Sequence, residues 1–129
     1  MKLDSTVLIA VDFDGTLTTR PVMGDSKPVI DSNAFHWLKK MMLLDAEFIL
    51  YTCREWESLE EAIEVCRSNG VVFDYINQGN GKRGDSRKVN ADFYIDDRAT
   101  LGKINWEMVY HHVENLIEER KEVQNGELL

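Results

Sequence analysis

The stretch Val7-Leu8-Ile9-Ala10-Val11-Asp12-Phe13-Asp14-Gly15-Thr16 constrains the fold more than any other part of the chain. It opens as an uninterrupted apolar run rich in β-branched residues. That pattern suits a strand buried on both faces of a parallel sheet. The run stops at two carboxylates two residues apart, followed by a glycine. Asp-Gly is ordinary turn chemistry. A buried strand ending in Asp-x-Asp-Gly also delivers two acids to the edge where an open α/β sheet binds ligand.

Later segments repeat the arrangement. Glu47-Phe48-Ile49-Leu50-Tyr51-Thr52 reads as a second buried strand, ending in Thr52-Cys53-Arg54-Glu55. Val71 to Ile76 reads as a third, and Ala91-Asp92-Phe93-Tyr94-Ile95 as a fourth, ending in Asp96-Asp97. Helical periodicity fills the gaps. One helix spans about 32–45, capped by Asp31, Ser32 or Asn33, with Ala34, Trp37, Leu38 and Met41 on one face. A second carries Leu59, Ala62, Ile63 and Cys66 and stops at Asn69-Gly70. A third follows Ile104-Asn105, with Trp106, Val109, Val113 and Leu116/Ile117 as its stripe, and runs to about Val123. Two irregular pieces remain. Residues 17–26, with Pro21 and Gly24, read as a small hairpin or flap. Residues 77–90 form a glycine-containing basic loop with Lys82, Arg83, Arg87 and Lys88.

Strands alternating with helices predict a single α/β domain over 1–129, a parallel sheet of about four strands with flanking helices. In that sheet Asp12, Asp14, Thr52 and Asp96 all fall at carboxyl ends. Carboxylates converging in a small volume need a compensating cation. An oxygen-only donor set selects a hard ion, and few carboxylates with open positions favour Mg²⁺. His36, His111 and His112 fall on helices, away from the acids. A carboxylate can attack phosphorus, and a second can exchange a proton with the leaving oxygen. A hydroxyl and a cationic group can neutralise the transferring oxygens.

Composition narrows the classes. The chain is 43% hydrophobic and 29% charged, with a net charge of −8. That charge disfavours a general nucleic-acid binder. No apolar run is long enough to span a membrane, and Met1-Lys2-Leu3-Asp4 does not look like a signal peptide. The expected location is therefore the cytoplasm. Cys53 and Cys66 form no metal or disulfide pattern, and both are expected in buried segments as free thiols.

Asp12-Phe13-Asp14-Gly15-Thr16, followed by Thr52, a downstream lysine and Asp96-Asp97, resembles the haloacid dehalogenase-like hydrolase superfamily in its phosphatase branch. The resemblance implies a Rossmann-like domain working through an aspartyl-phosphate. It implies Asp12 as nucleophile and Mg²⁺ ligand. Asp14 would be the general acid/base and would ligate the metal through its backbone carbonyl. Thr52 and Lys88 would bind phosphate. Asp96 would complete the metal site, with Asp97 in support. Lys82, Arg83 and Arg87 stay open as alternatives to Lys88. An aspartate at the second acid position suits phosphate esters. Neither 15–51 nor 53–87 holds an inserted domain, so the chain resembles the capless kind. An open site takes a large substrate or borrows a wall from a second copy. The flap, the Arg54-Glu55-Trp56 turn and the basic loop would then hold specificity; Arg54 and Trp56 are read either as contacts to the leaving group or as helix N-terminal packing and a surface salt bridge.

The expected function is Mg²⁺-dependent hydrolysis of phosphate monoesters, with sugar phosphates and nucleotides equally open. Two alternatives carry different signatures. A polynucleotide-end phosphatase would use the basic loop and bind with steep salt dependence. A non-catalytic Mg²⁺/phosphate-binding regulatory module would bind phosphate without turnover.

Overall fold

A computed structural model describes residues 6–19, 28–79, 81, 89–99 and 103–124. Lys82, Arg83, Arg87 and Lys88, and most of the flap, lie outside the described residues. Strand β1 (Val7–Val11) is buried at every position. It pairs in parallel with β4 (Ala46–Leu50) on one side and β6 (Phe93–Ile95) on the other. Strand β5 (Tyr75–Ile76) extends the sheet beyond β4 in parallel, giving the order β5-β4-β1-β6. The expected α/β architecture with a parallel four-stranded sheet is therefore present, and no cap domain interrupts it among the described residues. No helix among the described residues is long and apolar enough to cross a membrane.

The two faces of the sheet are covered differently. Val7, Ile9 and Val11 point into the larger core, which is completed by α1 (Ser32–Met41), α2 (Trp56–Ser68) and α3 (Trp106–Gln124). Each helix contributes its apolar stripe: Ala34, Phe35, Leu38 and Met41 from α1, Ala62 and Cys66 from α2, and Trp106, Val113 and Ile117 from α3. Leu8, Ala10 and Ile49 point the other way and are buried under Val89, Ala91 and the rings of Tyr51, Tyr75 and Tyr94. That face is thus covered by aromatic side chains and the segment returning to β6. Alternation along β1 with both faces dry explains its unbroken apolar run.

Several elements are shorter than the periodicity predicts. Helix α1 ends at Met41, and the backbone N–H groups of Leu43 and Leu44 turn back three residues to Lys40 and Met41. This tight turn leaves Leu43 exposed. Of the expected third strand only Tyr75 and Ile76 pair, because Asp74 ends the approach. The Asp74 N–H donates to the Phe48 carbonyl, and its carboxylate accepts the Phe48 N–H at 2.8 Å. Asp92 does the same ahead of β6, exchanging its N–H and its carboxylate with the carbonyl and N–H of Leu8, both at 2.8 Å. Two aspartates therefore pin the register where the central strands begin. The flap has an antiparallel base, β2 (Thr18–Thr19) against β3 (Val29–Ile30). Asp31 supplies the cap of α1, its carboxylate accepting from Asn33 and Ala34 N–H. Asn105 accepts from the Met108 N–H at the start of α3.

Asp92 also binds Arg120 of α3 at 2.9 Å, so one carboxylate ties β1, β6 and α3 together. Asp92→Ala leaves the Leu8 N–H and the guanidinium without this acceptor. It is expected to lower stability by roughly 1–3 kcal/mol, read as a lower urea midpoint with an unchanged slope.

Candidate active site

The register brings the polar groups to one level. Val11 lies opposite both Leu50 and Ile95, so β1, β4 and β6 stop together. Single bonds continue the sheet past these ends: Asp12 N–H to the Ile95 carbonyl at 2.9 Å, and Tyr51 N–H to the Val11 carbonyl at 2.8 Å. The chain winds from β1 through β4 to β5 and then crosses back to β6 on the far side of β1. The reversal falls between β1 and β6, the place where open α/β sheets bind ligands. Asp12 follows one of these strands, and Asp96 and Asp97 follow the other.

Asp12, Asp96 and Asp97 each bring a carboxylate oxygen within 4.8 Å of the others, and all three are half-buried. Burial pushes the Asp12 carboxyl up to about 6, opposed by hydrogen bonds from Thr16 and the Phe13 backbone, while Asp96 and Asp97 push it further up. All donors of this cluster are oxygen, so its chemistry fits a hard divalent cation such as Mg²⁺.

Thr16 organises the cluster. The turn after β1 wraps around the Phe13 carbonyl, which accepts from the N–H groups of Thr16, Leu17 and Thr18. Gly15 makes the turn at φ +83°, a conformation that disfavours a side chain. The turn buries Thr16 to 2% exposure. Its hydroxyl donates to Asp12 Oδ2 at 3.0 Å, with Asp97 Oδ1 as a second acceptor at 3.4 Å, and accepts from the Asp97 N–H at 2.9 Å. One side chain thus links two strand ends. Sequence reasoning quoted Thr16 without giving it a role; the available signal was a hydroxyl placed four residues after the first acid.

Thr52 is positioned by a second residue that the sequence reading missed. The Thr52 N–H donates to Asn77 Oδ1 at 2.8 Å, and Thr52 Oγ1 accepts from the Arg54 N–H at 3.2 Å. Asn77 sits at φ +54°, a conformation that asparagine tolerates better than most residues.

Asp14 and Arg54 form a separate pair. Arg54 Nε and Nη2 donate to the two Asp14 oxygens, each at 2.8 Å, and Nη1 donates to Glu61 at 3.1 Å and to the Ser58 carbonyl and hydroxyl. The guanidinium lies 4.9 Å from the centre of the Phe13 ring. Its hydrogen bond to Asp14 raises the Arg54 pKa further, against the effect of burial. The Asp14 side chain therefore stands apart from the carboxylate cluster, and the Asp97 side chain takes the third place in it. Of the two readings of Arg54, leaving-group contact or salt bridge, the structure shows ion pairs with Asp14 and Glu61. Trp56 is 84% exposed at the start of α2.

Lys88 lies outside the described residues, so the basic loop's part in the site stays with the sequence. A cleft of about 290 Å³ opens beside Thr16 and Asp97, and Lys103 lines it. Nothing in the periodicity distinguished this lysine. Cys66 is buried as expected, and burial pushes its thiol up to about 12. Cys53 corrects the expectation of burial: it is exposed, because sheet pairing ends at Tyr51 and the chain has left the core by Cys53.

The raised Asp12 carboxyl gives a stability prediction. Its protonated form is favoured in the fold, so this group's contribution is retained below about pH 4 and lost as pH rises through about 6. Asp12→Asn removes that loss. Without divalent cations the substitution is expected to raise stability at pH 8 by roughly 1 kcal/mol, a few degrees in Tm. Below pH 4 it should change Tm little. Thermal scans in chelator at both pH values check this.

No family model matches the chain, and no curated protein does. A solved structure of a conserved protein coded by a locus from Bacteroides thetaiotaomicron is similar to it, at 34% identity over 85% of this chain and 91% of that one, with a TM-score of 0.73. At that identity and coverage the likeness extends beyond shared architecture, and this chain belongs to the same family as the Bacteroides thetaiotaomicron protein.

Proposed function

We propose that the protein is a Mg²⁺-dependent phosphatase of the haloacid dehalogenase-like type, hydrolysing phosphate monoesters through an aspartyl-phosphate on Asp12. The observation that carries this reading is the meeting of Asp12, Asp96 and Asp97 within 4.8 Å at the switch point of the sheet. Mg²⁺ held by Asp12 and Asp96, with Asp97 or the Asp14 backbone carbonyl completing the set, would supply positive charge to the carboxylates and to the phosphoryl oxygens.

The residues divide the work. The Asp12 carboxylate attacks phosphorus, forming an O–P bond as the ester O–P bond breaks. The leaving oxygen takes a proton from Asp14. Water then attacks the aspartyl-phosphate, giving its proton to the Asp14 carboxylate and releasing phosphate and free Asp12. Thr16 holds the attacking carboxylate in position throughout. The Thr52 hydroxyl donates to a phosphoryl oxygen, and Lys88 is proposed to meet another. For Asp14 to carry a proton, at least one of its two bonds to Arg54 has to weaken. Arg54 therefore sets the resting position of the acid, and substrate binding has to shift the balance between them.

Phosphate release from a mixed panel of sugar phosphates, nucleotides and phosphorylated oligonucleotides, with and without Mg²⁺, tests the reading. Asp12→Asn is expected to remove Mg²⁺-dependent release by at least a thousandfold, because the nucleophile is lost. An aryl phosphate hydrolysed at the parent rate by this variant would rule out the covalent route. Asp14→Asn is expected to slow alkyl phosphates by roughly 10²–10⁴-fold and aryl phosphates much less, since a good leaving group needs no proton. Equal losses in kcat for the two classes would remove Asp14 from the acid role.

A further inference from the structure

The indole of Trp56 is 84% exposed, and its backbone adopts φ +53°. A bulky residue in the left-handed region is an outlier in ordinary structure, and such outliers cluster at functional sites. An exposed indole also forgoes the burial that usually holds tryptophan in place. No other ring among the described residues stacks on it. The other two tryptophans are ordinary by comparison: Trp106 is buried in the core, and Trp37 packs against it.

The segment carrying Trp56 is held to the site. Thr52 is fixed by Asn77, and Arg54 by both oxygens of Asp14, by Glu61 and by the Phe13 face. Trp56 follows Thr52 by four residues, a reach of at most about 14 Å. That is comparable to the separation between the phosphate and the base of a nucleotide. With no cap domain among the described residues, the indole lies in the open within that reach of Thr52. Its neighbours Glu55 and Glu57 are exposed and acidic, and Glu60 on the same helix is exposed too.

We propose that Trp56 is a stacking platform that selects phosphate monoesters whose leaving group is flat and carries no further negative charge, nucleoside monophosphates being the class it fits best. This deepens the phosphatase reading and rests on it. A flat face meets the indole, as bases stack on aromatic side chains. The flanking glutamates repel a second phosphate on the leaving group, which turns the platform away from nucleic-acid ends.

The test uses matched substrates. Adenosine 5′-monophosphate and ribose 5-phosphate are both esters of a primary C5 hydroxyl and differ at the base. In the parent protein with Mg²⁺, kcat/KM is expected to favour the nucleotide by roughly 5- to 100-fold, the range of one stacked base. Trp56→Ala should collapse that ratio toward one, mainly through KM, and Trp56→Phe should keep most of it. Adenosine 3′,5′-bisphosphate should lose most of the advantage in the parent. Ribose 5-phosphate hydrolysed as well as the nucleotide, or a ratio that survives Trp56→Ala, overturns the platform and leaves the phosphatase standing. Parity of the bisphosphate with the monophosphate overturns the charge selection. Release from neither sugar phosphate nor nucleotide by the folded protein removes the phosphatase reading and this inference together.

Discussion

Three carboxylates held close together repel one another, and the structure is arranged around that constraint. Asp12, Asp96 and Asp97 meet because β1 and β6 are hydrogen-bonded neighbours that end at the same level. Their separation is therefore set by the sheet and cannot relax without breaking strand pairing. The larger core locks β1 in turn, since every one of its side chains is buried. Apolar burial on two faces supplies the free energy that opposes the repulsion. Burial also disfavours charge on Asp12, which is why its carboxyl moves up to about 6.

The remaining acid is handled in the opposite way. Asp14 lies two residues from Asp12 but gives both oxygens to Arg54. Phe13, buried between the two acids in sequence, faces the same guanidinium. A bidentate fork with one face on an aromatic ring suits arginine and would be poorly matched by lysine. The two acids of the Asp-x-Asp element are thus placed in different surroundings, one beside two further carboxylates and one paired with a guanidinium. Different environments for paired carboxylates allow different roles.

Much of this was legible in the sequence because it depends on local pattern. The apolar run of β1, the stripes of the three helices and the Asp31 cap are all periodicities or single-residue signals, and they fix the fold class and the strand ends. From the strand ends follow Asp12, Thr52 and Asp96. Thr16 and Asn77 were not legible in their roles, because each acts on a residue that is distant in sequence or on another strand. Thr16 reaches Asp97, and Asn77 reaches Thr52. The same limit applies to Arg54, whose pairing with Asp14 depends on β1 and β4 being neighbours. Cys53 was misplaced for a smaller reason. The apolar pattern continues past Leu50 through Tyr51, so the end of the strand is not marked by polarity.

The unequal coverage of the sheet connects the core to the open site. Three helices cover one face, and the other is sealed in part by Val89 on the way back to β6. Val89 is buried against Leu8, Ala10 and Ile49, residues of the same strands that carry Asp12 and Thr52. At the other end of this crossover, Asn77 bonds Thr52 itself. The described ends of this crossover, Asn77 and Val89, are therefore fixed to Thr52 and to the buried strands that lead to the site. Val89 closes part of the second face through a few apolar contacts, and Asn77 holds the Thr52 backbone where β4 ends, so one connection serves both the core and the candidate site.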